Sequence, residues 1–160
     1  MIDVSRTVLV NDPTQPNQPR LNEHQVWQGL VRKAENPMPF VEAITECTVL
    51  ERYHDGLLRE ITNIAVGLMR ERVTFEPEKR VRFQVVGGRL RGLIVNEIGE
   101  DEHGELALTF RFQLQMEGME SGSPQEAEFA QGMERAYLSA VKTTLQTIRD
   151  EAAASPSSPT

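Results

Sequence analysis

The chain has 160 residues, of which 39% are hydrophobic and 26% are charged. This length and composition suit one domain with its own hydrophobic core, and they exclude wholesale disorder and a fibrous repeat. The chain contains 24 acidic and 17 basic residues, which gives a formal net charge of -7. Because such a field repels phosphate groups, we expect no nucleic-acid partner.

The N-terminal segment and the single cysteine bear on the compartment. Residues 1–11 lack the basic start, apolar centre and small-residue cleavage site of a signal peptide. No apolar run in the sequence approaches the ~20 residues that span a bilayer. Cys47 is the only cysteine, which excludes an internal disulfide and a metal site built on several thiolates. These features predict a cytoplasmic protein without a membrane span.

The first part of the chain combines a strand pattern with a helix pattern. Residues 4–10 are rich in β-branched side chains and predict a first strand. Asn22 is a suitable N-cap with Gln25 at the third helical position, so we expect a helix from there to about Glu35. A second, short helix of about one turn is expected over residues 39–44.

Short alternating runs separated by turn signals follow from Glu46 onward. Pairs such as Asp55-Gly56 and His103-Gly104 supply the glycine that tight hairpins need. The expected strands cover residues 46–54, 57–66, 68–76, 80–86, 89–99 and 105–117. The last has the clearest period of two, with apolar residues from Leu106 to Met116 on one face. The pattern predicts an antiparallel meander with one buried face.

A long helix is expected at the end of the chain. Ser123 and Glu126 have the spacing of a capping box, and Pro124 occupies the first helical position. The helix should run from Pro124 to about Ala152 with a broad apolar stripe toward the sheet. Residues 153–160 form a Ser- and Pro-rich stretch, for which we expect a disordered tail. Residues 1–152 are therefore expected to form the single domain.

This order of elements predicts an α+β helix-grip fold. A curved antiparallel sheet of about seven strands would wrap around the long C-terminal helix, with two short helices after the first strand. A single helix cannot fill a strongly curved sheet as densely as a second sheet would, so we expect a lined cavity between them. Cavities of this kind hold small molecules.

An ordered set of motifs resembles the acetylaranotin biosynthesis cluster protein L-like family of the START/Bet v 1-like (SRPBCC) superfamily. The motifs are Gln25–Phe40, Cys47–Glu51, Leu58–Ile61, Arg70–Thr74 and Gly104–Phe110. The resemblance covers residues 4–150. It implies the helix-grip fold and a deep apolar ligand-binding cavity, but no particular activity. The superfamily includes lipid and hormone binders, polyketide aromatase/cyclases and oxygenase domains.

Period-two alternation across the sheet, with the apolar stripe of the long helix, predicts the cavity wall. The expected lining residues are Glu71, Val73, Phe83, Ile94, Asn96, Phe110, Phe112, Met133, Tyr137 and Val141. Glu71 and Asn96 are the polar members from the sheet, and leaving them unpaired in an apolar interior would be costly. Tyr137 adds a hydroxyl from the helix.

Each polar candidate has two interpretations. Glu71 either carries a pKa raised by burial and moves protons, or pairs with an arginine such as Arg59 or Arg72. Asn96 either orients a ligand carbonyl or hydroxyl, or caps a turn or bridges strands. Tyr137 either hydrogen-bonds a ligand or packs in the core with its hydroxyl at the rim. Glu71 and Tyr137 are the candidates for a catalytic role.

The expected function is binding of a small, largely apolar molecule, such as a lipid, polyketide or aromatic metabolite. The alternative is a cyclase, dehydratase or isomerase acting in the same cavity, and we favour the binding module. No cofactor is expected, and no metal, because no carboxylates converge on the histidines at ligand-like spacing. Leu93 and Val95, on the outer face, form a dimer contact or are simply exposed, which fits a monomer or a weak homodimer.

Overall fold

The computed structural model describes residues 1–154. Its elements are β1 (Ile2–Leu9), α1 (Glu23–Glu35), β2 (Ile44–Tyr53), β3 (Gly56–Asn63), β4 (Gly67–Glu76), β5 (Arg80–Gly88), β6 (Leu90–Glu100), β7 (Leu106–Met116) and α2 (Pro124–Ala154). The strands form one seven-stranded sheet in the order β1-β7-β6-β5-β4-β3-β2, and every neighbouring pair is antiparallel. The predicted α+β helix-grip fold is confirmed.

The prediction of a second helix over residues 39–44 is wrong. The backbone N–H groups of Phe40 and Val41 both donate to the carbonyl of Pro37, and Ile44 donates to Val41. This is a single turn that does not continue into a helix. A continued helix would need each later N–H group to bond to the carbonyl four residues earlier, and no such bond follows that of Val41.

The C-terminal boundary also differs from the prediction. α2 continues through Ala154, so Ala153 and Ala154 belong to the helix and not to the expected disordered tail. The rest of that predicted tail, residues 155–160, lies outside the described part of the chain.

The helix N-termini follow their sequence signals to different degrees. At α1, the Asn22 side chain accepts a hydrogen bond from the Gln25 backbone and the Gln25 side chain accepts one from the Asn22 backbone, both at 2.8 Å. This is the complete capping box. At α2, Ser123 Oγ accepts a bond from the Glu126 backbone at 3.1 Å, but the Glu126 carboxylate accepts one from the Gly122 backbone instead of returning to Ser123.

The two halves of α2 pack differently. Toward its end, Val141, Leu145 and Ile148 are buried in the core. A Cβ atom at Gly29 of α1 would overlap the Ile148 side chain, so this glycine permits the close contact between the helices. The apolar residues of the first half, such as Phe129, are only partly buried. The first half of α2 therefore spans an open space that the second half does not.

Gly92 allows a close approach within the sheet. Its φ of +134° lies in the region that favours glycine. A Cβ atom at this position would overlap the Gln113 carbonyl oxygen on β7. Glycine at mid-strand therefore lets the backbone of β6 approach β7 closely.

Candidate functional site

A cavity of about 410 Å³ lies between the sheet and the first half of α2. Its wall is mainly apolar, with Phe129 and Met133 on α2 facing Ile61 and Met69 on the sheet. Four of the polar side chains in the wall form two hydrogen-bonded pairs. This polar cluster consists of Lys33, Arg59, Glu71 and Asn96.

A buried ion pair forms half of the polar cluster. Arg59 and Glu71 are direct partners in the register of β3 and β4. The Nε and Nη2 atoms of Arg59 lie 2.9 and 2.7 Å from Glu71 Oε1, and the side chains are only 4% and 3% exposed. Glu71 therefore has the arginine partner that one of the two sequence interpretations anticipated.

Arg59 also reaches the end of α1. Its Nη1 atom donates to the carbonyl oxygens of Lys33 and Ala34, at 3.3 and 2.9 Å. These carbonyls belong to the last turn of α1, where helical carbonyls have no partner within the helix. One guanidinium thus joins β3, β4 and α1.

Lys33 and Asn96 form the other half of the cluster. Lys33 Nζ donates to Asn96 Oδ1 at 2.6 Å and lies 5.8 Å from the centre of the Phe83 ring. Burial lowers the pKa of Lys33 to about 8, and the positive charge of Arg59 acts in the same direction while Glu71 opposes it. Lys33 is therefore mostly, but not entirely, protonated at neutral pH.

Tyr137 covers part of the aromatic core. Its ring centre lies 5.9 Å from that of Phe110 and 4.9 Å from that of Phe112. Burial raises the pKa of Tyr137, and the negative charge of Glu71 raises it further. The phenol therefore stays protonated at neutral pH, where it can donate a hydrogen bond but cannot act as a base.

The cavity wall agrees only in part with the set expected from the sequence. Of the expected residues, the structure brings together Glu71, Phe83, Ile94, Asn96, Met133, Tyr137 and Val141 in the wall. Val73, Phe110 and Phe112 are fully buried but lie outside it. Phe110 and Phe112 lie outside the wall because the Tyr137 ring packs against both of them. Val73 lies in the core opposite Phe83.

Two residues of the polar cluster were not predicted as members of the wall, although simple periodicity would have indicated both. Lys33 comes three residues after Leu30 on the buried stripe of α1, which is the spacing of one helix face. Arg59 alternates along β3 with Leu57 and Ile61, and all three are buried. From the sequence, Arg59 was considered only as a partner of Glu71, and Lys33 was not considered.

Residues 1–154 contain neither a metal-binding cluster nor a membrane-spanning helix. In this part of the chain, no three His, Cys, Asp or Glu residues are grouped closely enough to hold a metal ion. No helix over the same residues is long and apolar enough to cross a bilayer.

The curved sheet, the long C-terminal helix and the cavity between them define a START/Bet v 1-like protein. A family model described as acetylaranotin biosynthesis cluster protein L matches residues 6–155. The chain therefore belongs to this family. A comparison with curated proteins gives no match.

Solved structures with low sequence identity share the fold. TTHA0849 from Thermus thermophilus is 13% identical with a TM-score of 0.61, and the match covers 98% of this chain and 99% of that one. A START superfamily protein from Mycobacterium smegmatis is 12% identical with a TM-score of 0.67, over 91% and 98% of the two chains. The di-domain ARO/CYC StfQ from the steffimycin biosynthetic pathway is 10% identical with a TM-score of 0.67, over 96% of this chain and 52% of that one.

Proposed function

We propose that this protein binds a small, largely apolar molecule in the cavity under α2, with one polar end of the molecule at the polar cluster. The observation that supports this most directly is the composition of the wall. A cavity of about 410 Å³ is lined mainly by apolar side chains, and its buried charges are gathered in one cluster. Binding pockets for small molecules have this combination of apolar surface and few polar groups.

The polar cluster has hydrogen-bonding capacity left for a ligand. Lys33 Nζ carries three N–H groups and donates one of them to Asn96. Glu71 receives both the hydrogen bond from Arg59 Nε and the ion-pair contact from Arg59 Nη2 at the same oxygen, Oε1. Inside residues 1–154, no hydrogen bond reaches its Oε2 atom. The ligand would thus find both donors and an acceptor at one place in an apolar wall.

A second candidate function is proton transfer on such a molecule, as in a cyclase, dehydratase or isomerase. Lys33 favours it, because a pKa of about 8 leaves a neutral fraction of the amine at neutral pH, as a general base requires. Glu71 is held by Arg59 and Tyr137 stays protonated, so Lys33 is the better candidate for the base. The similarity to an ARO/CYC structure is consistent with this role and does not decide it. Unchanged turnover of a candidate substrate by Lys33→Met would exclude it.

Filling the cavity tests the binding function. Gly132 lies on α2 in the cavity wall, and a Cβ atom built there meets no heavy atom within 4 Å. We expect Gly132→Leu to occupy the cavity and weaken binding of a neutral apolar fluorophore, N-phenyl-1-naphthylamine, by about tenfold or more, which corresponds to roughly 1.4 kcal/mol. Gly132→Ala is the matched control and should bind as the wild type does.

Two further measurements accompany the binding titration with N-phenyl-1-naphthylamine. Circular dichroism should show that both variants keep the wild-type secondary structure, since alanine and leucine are better helix formers than glycine. Solvent extraction of freshly purified wild-type protein should release a small apolar compound that Gly132→Leu does not carry. Equal fluorophore affinity in the leucine variant and the wild type would contradict the proposed site.

A further inference from the structure

The polar cluster has an unequal number of positive and negative groups. Lys33 and Arg59 are cationic at neutral pH, whereas Glu71 is the one carboxylate in the cluster among residues 1–154. Two nitrogen atoms of Arg59 engage this carboxylate in the buried ion pair. The partner of Lys33 is the neutral side chain of Asn96. Within the described part of the chain, Lys33 forms no salt bridge.

An ammonium that is partly buried in an apolar wall is costly without a counter-ion. Charges taken from water into an apolar interior are normally paired. The nearest groups do not supply a charge that would balance Lys33, because Asn96 on β6 and Phe83 on β5 are neutral. Glu71 on β4 is already paired, and Tyr137 on α2 stays protonated. The cavity that Lys33 lines has space for an anionic group of a ligand.

We propose that the ligand is an apolar molecule bearing one carboxylate, which accepts hydrogen bonds from Lys33 and from the side-chain amide of Asn96. This inference rests on the proposed binding function and adds the chemical class of the ligand. Asn96 Oδ1 faces Lys33, and inside residues 1–154 its Nδ2 group donates no hydrogen bond. One carboxylate can therefore accept from the ammonium and the amide together, and the bond from the ammonium is reinforced by its positive charge.

A pair of probes of the same shape tests the inference. Naphthalene-2-carboxylate carries the charge, and naphthalene-2-carboxamide is its neutral analogue. Calorimetry at pH 7 should show that the wild type binds the carboxylate about tenfold more tightly than the carboxamide, or more, as a charge-assisted bond implies. Lys33→Met should remove this preference, and circular dichroism should show that the variant keeps the wild-type secondary structure.

A lysine on α2 provides the matched control for Lys33, which lies on α1. Lys142 is exposed, and Lys142→Met changes the net charge as much as Lys33→Met does. This variant should keep the wild-type preference for the carboxylate. If both lysine variants lost the preference equally, the general field of the protein would be responsible and the inference would be overturned.

The pH dependence gives an independent readout. The preference should start to fall near pH 7, because free Lys33 is half deprotonated at about pH 8, and should largely disappear by about pH 10. A preference that persists unchanged at pH 10 would overturn the inference. Equal affinity of the wild type for both probes would also overturn it and leave the binding function standing. Binding of neither probe would contradict the binding function as well.

Discussion

Replacing Lys33 by methionine is expected to stabilise the protein at pH 7. Lowering the pKa of Lys33 from 10.5 to about 8 corresponds to a cost of about 3 kcal/mol for keeping the ammonium charged in the folded state. The substitution also leaves the buried side-chain oxygen of Asn96 without its donor, which costs about 2 kcal/mol. The free energy of unfolding should therefore rise by about 1 kcal/mol, while the apolar length of the side chain is kept.

The lowered pKa of Lys33 also determines the sign of the pH dependence of stability. The folded-state pKa of Lys33 lies below its unfolded-state value, so between about pH 8 and pH 10.5 the unfolded chain binds more protons than the folded one. The free energy of unfolding of the wild type therefore increases relative to that of Lys33→Met as the pH rises through this window. The gain should be about 2 kcal/mol between pH 7 and pH 10. Other titrating groups are common to both proteins and cancel in the difference.

Urea unfolding at pH 7 and pH 10 measures both effects, with Lys142→Met as the control. Because Lys142 is exposed, its variant should differ from the wild type by less than about 0.5 kcal/mol at pH 7. The reasoning would be refuted if Lys33→Met were less stable than the wild type at pH 7. It would also be refuted if the difference between the two proteins were the same at both pH values.

Two further substitutions test the ion pair and the strand geometry. Glu71→Gln should lower the free energy of unfolding by about 3–5 kcal/mol, because it leaves Arg59 buried without an anion. Glu60→Gln breaks a more exposed ion pair and should lower the free energy of unfolding by less than about 1 kcal/mol in the same urea experiment. Similar losses in the two variants would contradict the role of burial at the Arg59–Glu71 pair. Gly92→Ala should abolish cooperative thermal unfolding, whereas Gly99→Ala, with open space around it, should retain it; a folded Gly92→Ala would contradict the close approach to β7.

The fold could be predicted from the sequence because its signals are local and agree with one another. The alternation in β7, the capping box at Asn22 and the proline that opens α2 each reflect backbone geometry within a few residues. Residues 39–44 show the limit of this reasoning. There the apolar pattern allowed a helix, but the bonds from each N–H group to the carbonyl four residues earlier stop at Val41.

The site could be predicted only as far as the faces of its elements. Alternation placed Glu71 and Asn96 inside, but it could not show that the Tyr137 ring would cover Phe110 and Phe112. That covering depends on where α2 crosses the sheet. Lys33 was missed because a basic residue in the last turn of a helix is also favourable when it is solvated. Only the packing of α1 on the sheet turns this side chain toward Asn96.

Arg59 has a consequence for how the protein opens. Its guanidinium holds Glu71 on β4 and also the carbonyls of Lys33 and Ala34 in the last turn of α1. Fraying of that turn would remove two acceptors from a buried cation, so the usual low-energy loosening of a helix end is opposed here. The end of α1 and the polar part of the cavity thus belong to one cooperative unit. Amide hydrogens near the end of α1 should exchange with solvent together with those of β3 and β4, and not ahead of them as at a free helix terminus.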